Sequence, residues 1–250
     1  MELDFSELEG INIDNNGQGG MISSKNKVDI VFVIDDSASM EPLIDGLENN
    51  INNFIHSLQN SGNSIDFRIG FELYGDELFT HCNLTGDVGV FQRLLKDKRK
   101  LETGGDEITL VAVDMAADHQ WRESCHKYII IFTNEPLSTN VSYEKQLSQY
   151  DLLLQKLKDL GVKIYFLGKD CPDYRRFKEI KHCYYEPVED YNSVDYSKLF
   201  ETIGKSVSQQ SGGVAHEGSS VPKGIYDEVF GLKTAENAAE KDGSERHDKV

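Results

Sequence analysis

Apolar and polar positions in the middle of the chain follow two different repeats. Three segments, residues 28–34, 127–133 and 163–168, are almost continuously apolar. Such runs are typical of central strands in a parallel sheet that helices cover on both faces. The sequence therefore predicts at least three buried strands.

A second pattern predicts a hairpin at one edge of this sheet. From residue 65 to 73 every second side chain is apolar, which indicates a strand with one buried face. Residues 79–84 can pair with it through a turn at Gly75 and Asp76. We expect these two strands to be antiparallel.

Helical spacing separates the strands. Apolar residues recur every three or four positions after Pro42, and proline is well suited to the first turn of a helix. The predicted helices cover residues 43–58, 88–96, 110–118, 145–160, 174–181 and 196–206. Alternating strands and helices predict an α/β fold: a doubly wound, mostly parallel sheet sandwiched by helices, with one antiparallel edge hairpin. Ligands bind such sheets at the carboxyl ends of the strands.

Composition divides the 250 residues into one domain and two tails. With 38% hydrophobic residues the chain can bury one sizeable core. Residues 1–26 are predicted to be an acidic N-terminal tail, residues 27–208 the folded domain, and residues 209–250 a flexible C-terminal tail rich in polar residues.

The C-terminal tail contains one apolar cluster, at residues 222–233. Ile225 and Val229 lie at helical spacing. Tyr226 comes directly after Ile225, and Phe230 comes directly after Val229. We interpret the segment as a docking site that folds back on the domain or enters a groove in a partner. Incidental apolar residues in a disordered tail are the alternative.

Charge and cysteine content exclude several classes of protein. The chain has 43 acidic and 26 basic residues, a net charge of −17, which argues against nucleic acid or an anionic membrane as a partner. Its four cysteines show no C-x-x-C spacing, so neither a zinc finger nor a redox motif is indicated. No signal peptide or membrane-spanning run is visible, and a cytoplasmic location is predicted.

A turn with metal-binding chemistry follows the first apolar run. Asp35, Ser37 and Ser39 form a D-x-S-x-S pattern where that strand is expected to end. A carboxylate and two hydroxyl groups are suitable ligands for a hard cation such as Mg²⁺. The alternative is that these residues only form a turn and cap the next helix.

Two further polar turns are expected at the same edge of the sheet. The sequence Thr-Gly-Gly-Asp-Glu occupies residues 103–107, and Thr-Asn-Glu-Pro follows a buried strand at residues 133–136. Taken singly, each is ordinary loop chemistry. Their convergence with the first turn is what makes them informative.

Together the three turns resemble the metal-ion-dependent adhesion site of the von Willebrand factor A (vWA) domain, especially in intracellular bacterial members. The resemblance covers about residues 27–208 and implies the Rossmann-like fold of that family. It also implies a set of metal ligands in this chain: Asp35, Ser37, Ser39, Asp106 and Asn134, with Thr103 and Glu135 as less certain ligands or indirect partners.

The third turn departs from the family pattern. The family usually has Thr-Asp at this point, whereas this chain has Thr133 followed by Asn134. An amide oxygen can still accept a hydrogen bond from a metal-bound water, but one negative charge is missing unless Glu135 supplies it. The resemblance implies Mg²⁺ as the cofactor, with Mn²⁺ or Ca²⁺ as alternatives.

The resemblance further implies a non-catalytic interaction module. Mg²⁺ takes about six oxygen ligands, so an open position can accept an Asp or Glu side chain from a protein partner. Intracellular bacterial members are often found beside AAA+ ATPases, kinases or phosphatases in stress and defence systems, which is an argument from analogy. The chain shows no Ser/His/Asp or Cys/His arrangement, and no enzymatic activity is predicted.

The main alternative is a receiver-like signalling domain or a metal-dependent phosphotransfer enzyme. Asp35 and Asp36 resemble the acidic pair of a receiver, and Thr133 and Lys169 imitate its threonine and lysine. Asp76, the plausible phosphoacceptor, lies too far from Thr133 for a compact receiver. A haloacid-dehalogenase-type phosphatase needs an aspartate where Ser37 stands, and a Rossmann dinucleotide site needs a G-x-G-x-x-G motif that is missing.

Overall fold

A computed structural model describes residues 26–59, 65–97 and 107–211. The strands within these ranges are β1 (Asn26–Asp35), β2 (Ile65–Tyr74), β3 (Leu78–Thr85), β4 (His126–Thr133), β5 (Lys163–Gly168) and β6 (Cys183–Pro187). The helices are α1 (Glu41–Gln59), α2 (Val88–Asp97), α3 (Thr109–Ala117), α4 (Tyr143–Ser148), α5 (Tyr150–Leu160), α6 (Pro172–Arg175) and α7 (Tyr196–Ser211).

The six strands form one sheet in the order β3-β2-β1-β4-β5-β6. Every neighbouring pair is parallel except β2 and β3, which are antiparallel. The predicted fold class, including the antiparallel edge hairpin, is confirmed. A receiver domain has the order 2-1-3-4-5, so the receiver interpretation is wrong at the level of the fold.

Helices cover both faces of the sheet because its central strands are apolar on both sides. On one face α1, α2 and α7 pack against side chains such as Phe32 and Phe71. On the other face α3, α5 and α6 pack against Val33, Ile131 and Phe166. Strand β1 lies between β2 and β4 and is buried from Val28 to Asp35, so its carboxyl end opens at the middle of the sheet edge.

Two helix predictions were partly wrong, because apolar spacing does not reveal every break. The predicted helix at 145–160 is two helices, α4 and α5, separated at Gln149. Buried residues continue at helical spacing through both of them, so the pattern hides the break. The predicted helix at 174–181 begins earlier, at Pro172, and continues after Arg175 as a 3₁₀ turn.

The edge strand β6 was missed. It has five residues, each half-buried, and contains Tyr-Tyr-Glu rather than an apolar run. A short strand at the sheet edge needs neither a continuous apolar sequence nor strict alternation, because only one neighbour pairs with it. Its pairing with β5 identifies it in the structure.

A buried ion-pair cluster closes the amino-terminal edge of the sheet. Asp29 on β1 is fully buried and accepts hydrogen bonds from Arg68 Nε (3.0 Å) and Nη2 (2.6 Å). It also accepts bonds from the backbone N–H and Nε of Arg122, both at 2.9 Å. The Arg122 side chain further pairs with Asp66 at 2.7 Å. This cluster ties β1 and β2 to the loop before β4.

Helix α7 ends at Ser211, and none of the described helices is long and apolar enough to span a membrane. The predicted tail at 1–26, apart from its final residue, and the docking segment at 222–233 lie outside the described residues. The docking residues Ile225, Tyr226, Val229 and Phe230 therefore stay predictions.

Candidate metal site at the carboxyl edge of the sheet

The backbone brings two of the predicted turns together. Asp35 is the last residue of β1, Thr133 is the last residue of β4, and these strands are parallel neighbours. After Asp35 the chain turns, and the N–H of Asp36 donates to the carbonyl of Tyr74 at 2.7 Å. A 3₁₀ turn at Ala38–Met40 then leads into α1.

Hydrogen bonds connect the predicted ligands of the first and third turns. The N–H of Ser37 donates to Asp35 Oδ1 at 2.8 Å, and the Oγ atoms of Ser37 and Ser39 are 3.1 Å apart. Asn134 Nδ2 donates to Ser39 Oγ at 2.6 Å. Four of the predicted residues, Asp35, Ser37, Ser39 and Asn134, therefore lie in one connected group.

The arrangement argues against a capping role for the serines. Ser37 occupies the position before the 3₁₀ turn, yet its side chain makes no capping hydrogen bond. The Ser37 hydroxyl contacts the Ser39 hydroxyl, which in turn meets Asn134. The hydroxyl groups thus face the edge of the sheet where the third turn arrives.

Two oxygen atoms of this group have no hydrogen-bond partner among the described residues. They are Asp35 Oδ2 and Asn134 Oδ1, and both atoms are buried. An unpartnered buried polar atom costs about 1–3 kcal/mol, so a cation that contacts these atoms would stabilise the folded domain. Carboxylate, hydroxyl and amide oxygens are what a hard divalent cation prefers, and the residues therefore fit such an ion.

The site does not resemble a zinc or cluster site. Within the described ranges, no three or more His, Cys, Asp or Glu side chains are grouped so that they could hold a metal. The donors found here are mostly hydroxyl and amide groups, which suit Mg²⁺ better than softer metals.

Burial raises the pKa of Asp35 to about 6. Hydrogen bonds from Ser37, from the Glu107 side chain and from the backbone of Asn134 act in the opposite direction and offset part of the effect. At neutral pH the ionised Asp35 is therefore held in an unfavourable environment, which a bound cation would relieve.

Of the remaining predicted residues, only Glu135 lies within the described part of the chain. Thr103 and Asp106 lie outside the described residues, and their role as ligands stays a prediction. Glu135 is half-buried directly after Asn134. Whether it compensates for the missing charge at Asn134 also stays a prediction.

Sequence reasoning assigned no role to Glu107. This residue is 1% exposed, and its side chain lies within hydrogen-bonding reach of Asp35. Its sequence position gave no signal, because an acidic residue just before a helix is ordinary and is favoured by the helix dipole. A buried carboxyl group at that point indicates that it faces the site.

The fold and the site together define a class of protein: an α/β domain that presents oxygen donors at the carboxyl edge of a mostly parallel sheet. The sequence model of the von Willebrand factor type A domain matches residues 29–202. The chain therefore belongs to the von Willebrand factor type A family. Domains of this family are commonly metal-dependent protein-interaction modules and typically bind a divalent metal.

Solved structures support the same fold. The conserved hypothetical protein BatB from Bacteroides thetaiotaomicron is 16% identical with a TM-score of 0.51, over 74% of this chain and 98% of that one. A von Willebrand factor type A protein from Catenulispora acidiphila is 11% identical with a TM-score of 0.54, over 74% and 43%. The human COPII-coat protein Sec24c is 13% identical with a TM-score of 0.50, over 74% and 32%. No curated protein matches the sequence significantly.

Proposed function

We propose that this protein is a non-catalytic, divalent-metal-dependent protein-interaction module. One observation carries the proposal: the buried Oδ2 atom of Asp35 has no partner among the described residues, and it belongs to the connected group of Ser37, Ser39 and Asn134. The oxygen donors of this group can bind a divalent cation, and Mg²⁺ is the ion that such donors favour.

Each residue of the group has a distinct role in the proposal. Asp35, Ser37 and Ser39 would hold the ion, and Asn134 would contribute an amide oxygen. The bound ion supplies positive charge that a partner's Asp or Glu side chain can neutralise. Ser39 is exposed, so the partner approaches from its side of the site.

The partner is proposed to present one acidic side chain within an otherwise basic surface, since this chain carries a net charge of −17. By analogy with bacterial relatives, an AAA+ ATPase or a kinase or phosphatase of a stress or defence complex is the proposed kind of partner. A cytoplasmic location and the lack of enzymatic activity belong to the same proposal.

Affinity capture tests the proposal. The full chain is used as bait in native lysate with Mg²⁺ or with EDTA, and captured proteins are identified by mass spectrometry. We expect one set of proteins to be lost both with EDTA and with Ser37→Ala. The control is Ser138→Ala, which changes an exposed serine in the 3₁₀ turn after β4. Capture that survives both EDTA and Ser37→Ala contradicts the mechanism.

The elevated pKa of Asp35 predicts how metal affinity depends on pH. The ion needs the ionised carboxylate, so a proton competes with it below the folded-state pKa of about 6. The Mg²⁺ dissociation constant should rise by up to about tenfold per pH unit below pH 6 and level off above pH 7. Calorimetric titration from pH 5 to 8 measures this. An unchanged affinity across that range contradicts the assignment of Asp35 as a ligand.

Restoring the missing charge should strengthen the site. Asn134→Asp places a second carboxylate beside Ser39 Oγ, 2.6 Å from the present amide nitrogen. The Mg²⁺ affinity is expected to increase by about tenfold or more. Calorimetric titration measures the increase, with Asn192→Asp, a substitution on an exposed turn, as the control of equal charge. Equal affinity in Asn134→Asp and wild type would place Asn134 outside the coordination sphere.

A further inference from the structure

We infer that Glu107 supplies a second carboxylate of the metal centre, and that Asn140 and Gln146 hold it in place. This inference rests on the proposed function, because it concerns the same ion. It places a negative charge of the metal centre on Glu107, a residue of the second turn to which the sequence pattern gave no role.

The first step is the contact between two buried carboxyl groups. Glu107 is 1% exposed and Asp35 is 0% exposed, and their side chains lie within hydrogen-bonding reach of each other. Two carboxyl groups in such contact need a proton or a cation between them, because two adjacent negative charges repel strongly in a buried setting. Asp35 Oδ2 has no hydrogen-bond partner among the described residues, so one oxygen of this carboxyl group is available to an ion.

The pKa of Tyr74, a buried residue at the end of β2, depends on both acids. Burial raises the pKa of Tyr74 well above its usual range, and the negative charges of Asp35 and Glu107 raise it further. The Tyr74 hydroxyl donates to Thr109 Oγ1 at 3.1 Å, at the start of α3. Asp35 at the end of β1 and Glu107 before α3 are buried carboxyl groups that come from two different elements of the fold.

The backbone of Glu107 is fixed by buried amide side chains. Asn140 accepts from the Glu107 N–H through Oδ1 at 3.2 Å and donates to the Glu107 carbonyl through Nδ2. Gln146 Nε2 donates to the same carbonyl at 3.1 Å, and Gln146 Oε1 accepts from Leu110 N–H at 3.0 Å. Asn140 and Gln146 are themselves 5% and 4% exposed.

A further hydrogen bond fixes the residue after Glu107. The N–H of Ile108 donates to the carbonyl of Gly75 at 2.9 Å, directly after β2. The segment at Glu107 is therefore attached to the end of β2 and to the segment after β4. We name Asn140 and Gln146 positioning residues, since they act on the ion through Glu107.

Removing only the charge of Glu107 distinguishes a ligand role from a purely structural role. Glu107→Gln keeps the size of the side chain and its capacity for hydrogen bonds but removes the negative charge. A ligand role predicts weaker ion binding with no loss of stability in the metal-free protein, because a buried repulsive charge has been removed. A purely structural role predicts lower stability with unchanged ion affinity.

The experiment is a Mn²⁺ titration of the full chain, in which the electron paramagnetic resonance signal of free Mn²⁺ measures binding. Thermal unfolding of each metal-free protein is measured alongside it. Four proteins are compared: wild type, Glu107→Gln, the double variant Glu107→Gln with Asn134→Asp, and the control Asp76→Asn. Asp76 is an exposed carboxylate in the turn after β2, so it reports the effect of charge alone.

We expect Glu107→Gln to weaken Mn²⁺ binding by about tenfold to a hundredfold. The double variant should recover most of this loss, because the Asn134→Asp substitution restores a carboxylate at the same centre, and Asp76→Asn should bind like wild type. Unchanged affinity in Glu107→Gln overturns the inference, and so does a weakening of binding that Asp76→Asn reproduces. A wild-type protein that binds no Mn²⁺ contradicts the proposed function instead.

Asn140→Ala tests the positioning role in the same assay. We expect it to weaken Mn²⁺ binding in the wild-type background but to have little further effect in the Glu107→Gln background. Equal losses in the two backgrounds would show that Asn140 acts on general stability and not through Glu107.

Discussion

Asp35→Asn is expected to abolish Mg²⁺ binding and, at the same time, to stabilise the metal-free protein. The carboxylate is buried and its pKa is raised to about 6, so its ionisation at pH 7.5 costs the folded state free energy that the unfolded chain does not lose. The amide is neutral and avoids this cost. The free energy of unfolding without metal should rise by about 1–3 kcal/mol.

The sign follows from the two pKa values. Asp35 titrates near 3.8 when unfolded and near 6 when folded, so the stability of the metal-free protein falls as pH rises through this interval. Urea unfolding at pH 7.5 in EDTA, with and without added Mg²⁺, measures both effects. Wild type should gain stability with Mg²⁺, and Asp35→Asn should not. A metal-free Asp35→Asn protein that is less stable than wild type contradicts the prediction.

Asp29→Asn should have the opposite effect on stability. Burial by itself raises the pKa of Asp29, but the hydrogen bonds and positive charges of Arg68 and Arg122 outweigh burial and hold the pKa below its usual value. Without the carboxylate, two mostly buried guanidinium groups lose their counter-charge. The free energy of unfolding at pH 7 should fall by about 3 kcal/mol.

Urea unfolding at pH 7 also tests this variant, with Asp66→Asn as the control. Asp66 pairs with the same Arg122 but is 42% exposed, so its loss should cost less than about 1 kcal/mol. Because the pKa of Asp29 is lowered on folding, its contribution is present at neutral pH and is lost as pH falls below about 4. Similar losses for the two variants would mean that burial does not strengthen the Asp29 cluster.

Much of the fold could be predicted because its determinants are local. The central strands are apolar on both faces and therefore stand out in the sequence as near-continuous apolar runs. The hairpin was visible from strict alternation in β2. Strand β6 and the break at Gln149 were not predictable in the same way, since β6 is defined by its pairing with β5 and the apolar spacing continues across the break.

The candidate site was predictable only where its residues are adjacent in sequence. Asp35, Ser37 and Ser39 form one recognisable turn, and Asn134 follows an evident strand. Glu107 carries no such pattern, and its relevance comes from burial and from contact with Asp35, which the sequence does not contain. Asn140 and Gln146 were missed for the same reason: amide side chains that bind backbone groups of a distant turn leave no periodic signal.

The hydrogen bond from Asn134 to Ser39 joins residues that are 95 positions apart in the chain. The unfolded chain cannot gather these donors, so an ion that binds there favours the folded state in proportion to the logarithm of its concentration. The abundance of intact protein in the cell would then depend on the free divalent ion level. If the proposed function holds, a fall in that level would weaken partner binding and the stability of the fold at the same time.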